Sequence, residues 1–278
     1  MPPDFPPLSA VITRLRAAGC VYAEEEAALL LAAGFTAEQL AVAVERRSAG
    51  FPLEHILGWA EFCGLRIAVE RGVFVPRRRT ELLVSEAARI LGVPLAAAEA
   101  SGATASRGPA AGPIVVDLCC GSGAVGLALA TLAPGIELHS SDIDPAAVRC
   151  ARRNVLPVGG YVHEGDLYSA LPDQLKGRMD ILAVNAPYVP TRSIGCMPSE
   201  ARVHEPRVSL DGGRDGLHIQ RRVTGQARSW LRRGGHVLIE TSRHQARRTA
   251  AAMAKDGLRS RIVHSEELDA TVVVGLRL

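Results

Sequence analysis

Apolar side chains recur at helical spacing through the first part of the chain. Residues 8–15 place leucine, valine and isoleucine on one helical face, and a glycine follows the last turn. The run EEEAALLLAAG predicts a second helix. Thr36 followed by Gln39 is the pattern of a capping box, so a third helix is predicted to begin there. We therefore predict a small helical domain over residues 1–60.

Alternation of apolar and polar residues replaces the helical spacing in FCGLRIAVERGVFV, at residues 62–75. With a glycine near its turn, this segment predicts a β-hairpin, which we place as a connector over residues 61–76. The following ELLVSEAARILG again has helical spacing. Residues 93–112 are small, polar and poor in large apolar side chains, which predicts a flexible loop.

From residue 114 onward, short apolar runs alternate with helical stretches. This alternation is typical of a mostly parallel sheet that helices cover on both faces. We therefore predict an α/β, Rossmann-like domain over residues 77–278, including the flexible loop. Its strands are predicted at IVVDL, IELHSSD, GYVHEGD, MDILAVN, GGHVLIE and TVVVGLRL.

The composition narrows the class of protein. The 278 residues are 47% hydrophobic and 22% charged, so the chain can bury a sizeable core. Its net charge of +3 is compatible with an anionic partner without requiring one. The six cysteines and eight histidines show no metal-ligand spacing, so we expect no metal. Because we find neither a secretory signal nor a run of about 18–20 apolar residues, we expect a soluble, cytoplasmic protein.

A glycine-containing loop follows the first strand of the predicted sheet. In VVDLCCGSGAVGLALA the apolar run ends at Asp117, and Gly121 and Gly123 let a ligand approach the backbone closely. The letters also satisfy GxGxxG, which alone is weak evidence for a dinucleotide site. The form D-L-x-x-G-x-G instead favours S-adenosylmethionine (SAM). These three residues are therefore candidate cofactor-binding residues.

Acidic residues end the next two strands. Asp142 comes about twenty residues after the glycine loop, where a carboxylate can accept hydrogen bonds from both ribose hydroxyls. Asp166, in GDLY, comes after the third strand beside the same crevice and could accept from an adenine amino group. Each acid taken alone is better explained as a turn former or a helix cap. Three such strand ends in order favour a nucleoside site.

The fourth strand runs into Asn185, Ala186, Pro187 and Tyr188 at the same edge of the sheet. Asn and Pro often end strands, but here the Asn185 side-chain oxygen and the carbonyl of Ala186 can each accept one N–H of a planar NH2 group. Tyr188 could lie against the face of that group. Two acceptors raise the electron density of an amide nitrogen and aim it at a sulfonium methyl, without a strong base. These four are candidate catalytic residues, and Asn185 also borders the cofactor.

Over nearly its whole length the chain resembles the HemK/PrmC class of protein-(glutamine-N5) methyltransferases. The segments quoted above carry the resemblance, together with PLEHILGWAEFCGL, FVPRRRTELLV, SDIDPAAVRCARRN, HEPRVSLDGGRDGL and GGHVLIETSRHQ. It implies a class I SAM-dependent methyltransferase domain and an N-terminal helical domain that docks the substrate. It also implies that Asn185 and Tyr188 hold a glutamine of a release factor or ribosomal protein, and that the protein is a monomer.

Two positions depart from the family pattern. Ala186 stands where the family usually has proline, which keeps the carbonyl but leaves a less rigid loop. Arg78 and Arg79 stand where the family typically has Pro-Glu, so the charge reverses near the expected mouth of the active site. This reversal puts the identity of the acceptor protein in question. Glu205 and Pro206 are candidate substrate-binding residues of the acceptor pocket, with a capped turn as the alternative.

Two other functions stay open at this stage. An N6-adenine methyltransferase acting on nucleic acid would also use an NPPY-like tetrad on a planar NH2 group. Against it, only 4% of residues are aromatic and no second domain rich in arginine and aromatic residues follows, so we expect no direct nucleic-acid specificity. A catalytically weak protein that keeps the cofactor fold for regulation would explain the altered tetrad and the arginine pair.

Overall fold

The computed structural model describes residues 6–93 and 112–278, so the predicted loop at 93–112 lies almost wholly outside the described residues. No helix in these two ranges is long and apolar enough to cross a membrane. The capping box is confirmed: the Thr36 hydroxyl accepts from the Gln39 N–H, and the Gln39 side chain accepts from the Thr36 N–H. The first helices are α1 (Leu8–Ala17), α2 (Ala23–Ala32), α3 (Ala37–Ser48) and α4 (Leu53–Leu57).

These four helices enclose an apolar core of their own, separate from the core of the large sheet. Leu15, Leu30 and Leu40 are fully buried in it. At its border the Arg47 guanidinium donates to both carboxylate oxygens of Glu26, at 2.6 and 2.8 Å. The small core therefore follows from the helical spacing of the sequence.

The β-hairpin lies earlier in the chain than the predicted range of 61–76. Strand β1 (Trp59–Phe62) pairs antiparallel with β2 (Leu65–Ala68). The turn between them puts two adjacent residues in the left-handed region, Cys63 with φ 50° and Gly64 with φ 71°. This turn centres the hairpin at 63–64, and the apolar alternation that continues to residue 75 reflects burial without strand pairing.

Seven strands form the large sheet: β3 (Ile114–Leu118), β4 (Glu137–Asp142), β5 (Tyr161–Glu164), β6 (Met179–Val184), β7 (Leu231–Glu240), β8 (Arg259–Ser265) and β9 (Ala270–Leu276). Their order across the sheet is β5-β4-β3-β6-β7-β9-β8. All neighbours are parallel except β9, which is antiparallel to β7 and β8. The predicted α/β, Rossmann-like fold is confirmed. The sequence did not predict β8, because this edge strand is largely exposed and carries a weak apolar signal.

Helices cover both faces of this sheet. One apolar cluster packs Val223, Trp230 and Met253 against the sheet, and a second packs Leu83 and Leu129 against the opposite face. The chain runs outward from β3 through β4 to β5 and then crosses to β6 on the other side of β3. A crevice therefore opens at the carboxyl ends of these strands. The helices are α5 (Glu81–Ile90), α6 (Ala124–Leu132), α7 (Pro145–Val155), α8 (Ser199–His204), α9 (His218–Trp230) and α10 (Ala246–Lys255).

Candidate active site

A cleft of about 300 Å³ occupies this crevice. Gly123 is the one predicted site residue that does not line it. A Cβ at Gly123 would lie 2.8 Å from the Val155 side chain, so this glycine serves the packing of the loop against α7. The predicted residues that do line the cleft are Asp117, Gly121, Asp142, Asp166, Asn185, Ala186, Pro187, Tyr188, Glu205 and Pro206.

Asp117, in β3, bonds to the first turn of α6 and so fixes the two ends of the loop between them. This side chain is buried, and its Oδ2 accepts from the Gly126 N–H at 2.9 Å. Burial raises the pKa of the Asp117 carboxyl to about 7. A Cβ at Gly126 would lie 2.9 Å from Ser140 Oγ, so the third glycine of the GxGxxG letters permits close packing of α6 on the sheet.

Asp142 ends β4 with its carboxylate fixed by backbone groups. Oδ2 accepts from the Gly121 N–H at 2.8 Å, and Oδ1 accepts from the Asp144 N–H at 2.9 Å. Each oxygen keeps a further lone pair for a ligand hydroxyl. Burial raises the pKa of Asp142, and the two backbone N–H groups oppose this rise.

Further along the same wall, Asp166 forms an ion pair with Arg222 of α9, at 2.6 Å. The apolar side chains of Ile143 and Leu167 also line the cleft there. Together these groups fit the nucleoside part of SAM, since carboxylates can accept from hydroxyl and amino groups and apolar side chains suit a flat ring. Arg222 was not predicted, because it lies on a helix far along the chain.

The tetrad after β6 is tied to two side chains from other elements. The Asn185 amide nitrogen Nδ2 donates to Thr80 Oγ1 at 3.2 Å. The Tyr188 hydroxyl donates to Glu240 Oε1 at 3.3 Å. Burial, together with the Glu240 carboxyl, raises the pKa of Tyr188 to about 12, so the ring keeps its proton at neutral pH. Ala186 is 1% exposed.

Two other segments, one before α9 and one at the start of α10, contact the backbone of the tetrad. Gln245 Nε2 donates to the Tyr188 carbonyl at 2.9 Å and to the Asp215 carbonyl at 3.1 Å. The Gly212 N–H donates to the Val189 carbonyl at 2.8 Å. Gly216 approaches so closely that a Cβ would lie 2.2 Å from the Tyr188 carbonyl oxygen. A Cβ at Gly212 would likewise lie 2.7 Å from the Pro187 carbonyl oxygen, so two glycines of the segment DGGRDGL are required by contact with the tetrad.

Arginines stand at the mouth of the cleft. The Arg77 guanidinium donates to Glu205 Oε1 at 2.6 Å, and the Val75 N–H donates to the same oxygen at 3.2 Å. Burial raises the pKa of Glu205, and Arg77 opposes this rise. Glu205 thus fixes Val75 and Arg77 at the wall of the cleft. Its direct contact with a substrate stays a prediction. Arg79 is exposed and lines the cleft, and its charge opposes the rise in pKa that burial causes in Tyr188 and Glu240.

Known proteins that resemble this chain are methyltransferases, in line with a cleft that fits SAM. Residues 107–201 match the methyltransferase small domain family. The release factor glutamine methyltransferase of Geobacter sulfurreducens is 35% identical over 216 residues, which cover 77% of this chain and 69% of the relative. That of Streptomyces coelicolor is 38% identical over 200 residues, which cover 71% of this chain and 65% of the relative.

A relative with a different name has a similar level of identity. The 4-amino-L-phenylalanine/4-methylamino-L-phenylalanine methyltransferase of Streptomyces pristinaespiralis is 36% identical over 204 residues, which cover 73% of this chain and 65% of the relative. Five further relatives, at 30–33% identity, are nevertheless named release factor glutamine methyltransferases. The chain therefore belongs to the HemK/PrmC family of SAM-dependent release factor glutamine methyltransferases.

Proposed function

We propose that this protein transfers a methyl group from SAM to the N5 amide nitrogen of a glutamine in a peptide release factor. The observation that carries the proposal is the position of Asn185. Its amide stands at the carboxyl end of β6, in the same cleft as the Asp142 carboxylate, and is held there by a hydrogen bond to Thr80.

The nucleoside end of the cleft would hold the cofactor. Asp142 accepts from the ribose hydroxyls through lone pairs that the backbone N–H groups leave free. Asp166 would accept from the adenine amino group, with its carboxylate held in place by the ion pair with Arg222. Gly121 brings the loop backbone close to the methionine part, since the loop lines the cleft without a side chain there.

The tetrad would hold the acceptor glutamine. Asn185 Oδ1 and the Ala186 carbonyl accept the two N–H bonds of the glutamine NH2 group, and the Tyr188 ring packs against its face. This arrangement polarises the amide nitrogen and aligns it with the donor. Bound SAM would supply an electrophilic sulfonium methyl to this nitrogen. The amide nitrogen would form the new N–C bond, the electrons of the broken C–S bond would stay on sulfur, and the nitrogen would release one proton to water.

The alanine in the tetrad is compatible with this role. Ala186 keeps its carbonyl, and the tetrad backbone is fixed by Gln245 and by the contact of Gly216 with the Tyr188 carbonyl. Rigidity that a second proline would give locally is here supplied by contacts from neighbouring segments.

The release factor is the preferred acceptor because it stands in the names of several similar relatives. The helical domain over residues 1–60 would dock that protein, and the enzyme would act as a monomer. We expect no direct recognition of nucleic acid, in line with the scarcity of aromatic residues in the chain.

A second candidate acceptor is the aromatic amine of a free amino acid. The 36%-identical relative named for 4-amino-L-phenylalanine favours it. Arg79 adds support, because an exposed guanidinium at the mouth of the cleft could bind the carboxylate of such an acceptor.

Transfer of an isotopically labelled methyl group from SAM tests these proposals. The acceptors are a purified bacterial release factor, the same factor with its acceptor-loop glutamine changed to glutamate, 4-amino-L-phenylalanine, and DNA. Label on the release factor that the glutamate variant abolishes supports the proposed function. Label only on the free amino acid, or only on adenine, would contradict it.

Asn185→Ala tests the acceptor pocket within the same assay. Loss of one of two acceptors aimed at the glutamine NH2 should lower kcat by at least about 100-fold. SAM affinity, measured by calorimetry, should stay within about threefold, because Asn185 serves the acceptor more than the nucleoside. Transfer at the wild-type rate would remove Asn185 from the catalytic role.

A further inference from the structure

The Asn185 side chain can face the acceptor with either of two ends. An oxygen directed at the glutamine NH2 accepts its hydrogen, whereas an NH2 directed at it would meet donor with donor. The two orientations fill nearly the same space, so packing alone does not choose between them. The tetrad therefore needs a neighbour that distinguishes Oδ1 from Nδ2.

Thr80 is placed to make this distinction. It closes a short 3₁₀ turn over Arg78–Thr80 before α5, and its backbone N–H donates to the Arg77 carbonyl at 2.9 Å. The side chain is 3% exposed, and its hydroxyl oxygen lies 3.2 Å from Asn185 Nδ2. A hydroxyl can either accept from Nδ2 or donate to Oδ1, so the direction of its proton decides the amide orientation.

Glu240 determines where that proton goes. This residue ends β7, is 2% exposed, and already accepts from the Tyr188 hydroxyl through Oε1. Its other oxygen, Oε2, is buried without a hydrogen-bond partner among the described residues. Burial raises the pKa of Glu240, and the neighbouring Thr80 hydroxyl opposes this rise. A buried carboxylate that lacks a donor attracts a neighbouring hydroxyl proton strongly.

We infer that Thr80 is a positioning residue for methyl transfer: its hydroxyl gives its proton to Glu240, accepts from Asn185 Nδ2, and so turns Asn185 Oδ1 toward the acceptor amide. This inference rests on the proposed function. It concerns two residues outside the tetrad, one from the turn before α5 and one from the end of β7, that join only in the folded protein.

Thr80→Val tests it, because valine has the shape of threonine without the hydroxyl. Asn185 would then lose the group that distinguishes its two ends. Since a misplaced catalytic group can cost about 100-fold, we expect kcat toward the release factor to fall by roughly 10- to 100-fold. KM for the release factor and the affinity for SAM should change by less than about threefold. An unchanged kcat would overturn the inference.

Two further variants separate the hydroxyl from the shape of the side chain. Thr80→Ser keeps the hydroxyl and should restore most of kcat, whereas an equal loss in Thr80→Ser and Thr80→Val would contradict the inference. Thr131→Val is the matched control: it removes a hydroxyl that bonds the Leu127 carbonyl on the exposed face of α6, far from the cleft. Glu240→Gln tests the proposed hydrogen bond from the Thr80 hydroxyl to Glu240. An unchanged kcat in this variant would contradict the role of Glu240 in orienting Asn185.

A spectroscopic measurement tests the same hydrogen bond without turnover. The side-chain NH2 signals of Asn185, assigned by their loss in Asn185→Asp, should shift in Thr80→Val and stay near their wild-type positions in Thr80→Ser. Identical signals in all three proteins would overturn the inference. If wild-type protein methylates no release factor, the proposed function fails, and these signals still report on Thr80 separately.

Discussion

Burial raises the pKa of several carboxyl groups around the cleft, among them Asp117, Asp142 and Glu240. Each of these three is held by donors from a different element, which are a backbone N–H of α6, two backbone N–H groups near β4, and the Tyr188 hydroxyl. At the scale of single residues, the site thus combines buried acceptors with a few well-aimed donors. Because these groups have shifted pKa values, the stability of the folded protein should depend on pH.

The stability of the ligand-free protein should report the burial of Asp117. The folded-state pKa of about 7 lies above the ordinary value of 3.8, so folding favours the protonated form. The stability that this preference contributes is complete below pH 3.8 and is lost as pH rises through 7. Asp117→Asn keeps an acceptor for the Gly126 N–H and never ionises. Between these two pKa values it should therefore gain stability relative to wild type, by about 1.4 kcal/mol for each unit that the pH rises.

Urea unfolding of both proteins at several pH values measures this difference. Asp173→Asn, which changes an exposed carboxyl on the surface, is the control and should show no such trend. A constant difference between wild type and Asp117→Asn across the range would mean that Asp117 ionises as easily in the folded protein as in the unfolded chain.

At the scale of elements, the loop after β6 depends on the segment that packs over it. Gln245 and the glycines of DGGRDGL contact the tetrad backbone directly. The tetrad is therefore not an independent turn, and its geometry is set by α10 and by the segment that precedes α9.

Gly216→Ala should disturb the tetrad although it adds only one methyl group. The new Cβ would lie 2.2 Å from the Tyr188 carbonyl oxygen, and the backbone φ of 74° is unfavourable for alanine. We expect a loss of about 2–4 kcal/mol in unfolding free energy and a fall in kcat.

The same glycine-to-alanine change at Gly225 provides the comparison. This residue lies on the exposed face of α9 with open space around its Cβ position, so alanine should stabilise the helix by about 0.5–1 kcal/mol. An unchanged unfolding free energy in Gly216→Ala would show that the segment around Gly216 can move away from the Tyr188 carbonyl without loss of stability.

At the scale of the whole molecule, one arginine joins the N-terminal helices to the segment that leads into the cleft. The Arg47 guanidinium holds Glu26 of α2 and the Phe51 carbonyl, and also lies 3.4 Å from Glu200 of α8. The Phe51 ring packs at 4.3 Å from the His204 ring at the end of α8. The helical core and the side of the cleft formed by α8 and Glu205 are thereby in contact.

Arg47→Met should destabilise the protein, because it leaves the largely buried Glu26 carboxylate without its partner. Since the pair keeps some exposure, we expect a loss of about 2–3 kcal/mol in thermal or urea unfolding, below the cost of breaking a fully buried pair. Arg46→Met, at the exposed neighbouring position, should stay within about 0.5 kcal/mol of wild type. A double change of Arg47 and Glu26 to methionine should recover much of the loss, and no recovery would show that Arg47 acts through contacts other than Glu26.

Much of the fold and the outline of the site follow from local sequence signals. The capping box at Thr36, the glycine loop after Asp117 and the acid at the end of β4 are each carried by a few adjacent residues, because caps, turns and strand ends are formed by neighbours in the chain. Edge strand β8 escaped prediction because its exposure removes the apolar pattern on which prediction relies.

The sequence by itself determined the alternation of strands and helices apart from β8, the family, and the presence of Asn185 and Tyr188 at a strand end that faces Asp142 and Asp166. Only the tertiary structure decided what holds these side chains: Thr80, 105 residues from Asn185, Glu240, 52 residues from Tyr188, and Arg222, 56 residues from Asp166. Hydrogen bonds between such distant positions leave no periodic pattern in a single chain, because they arise when packed elements bring their side chains together.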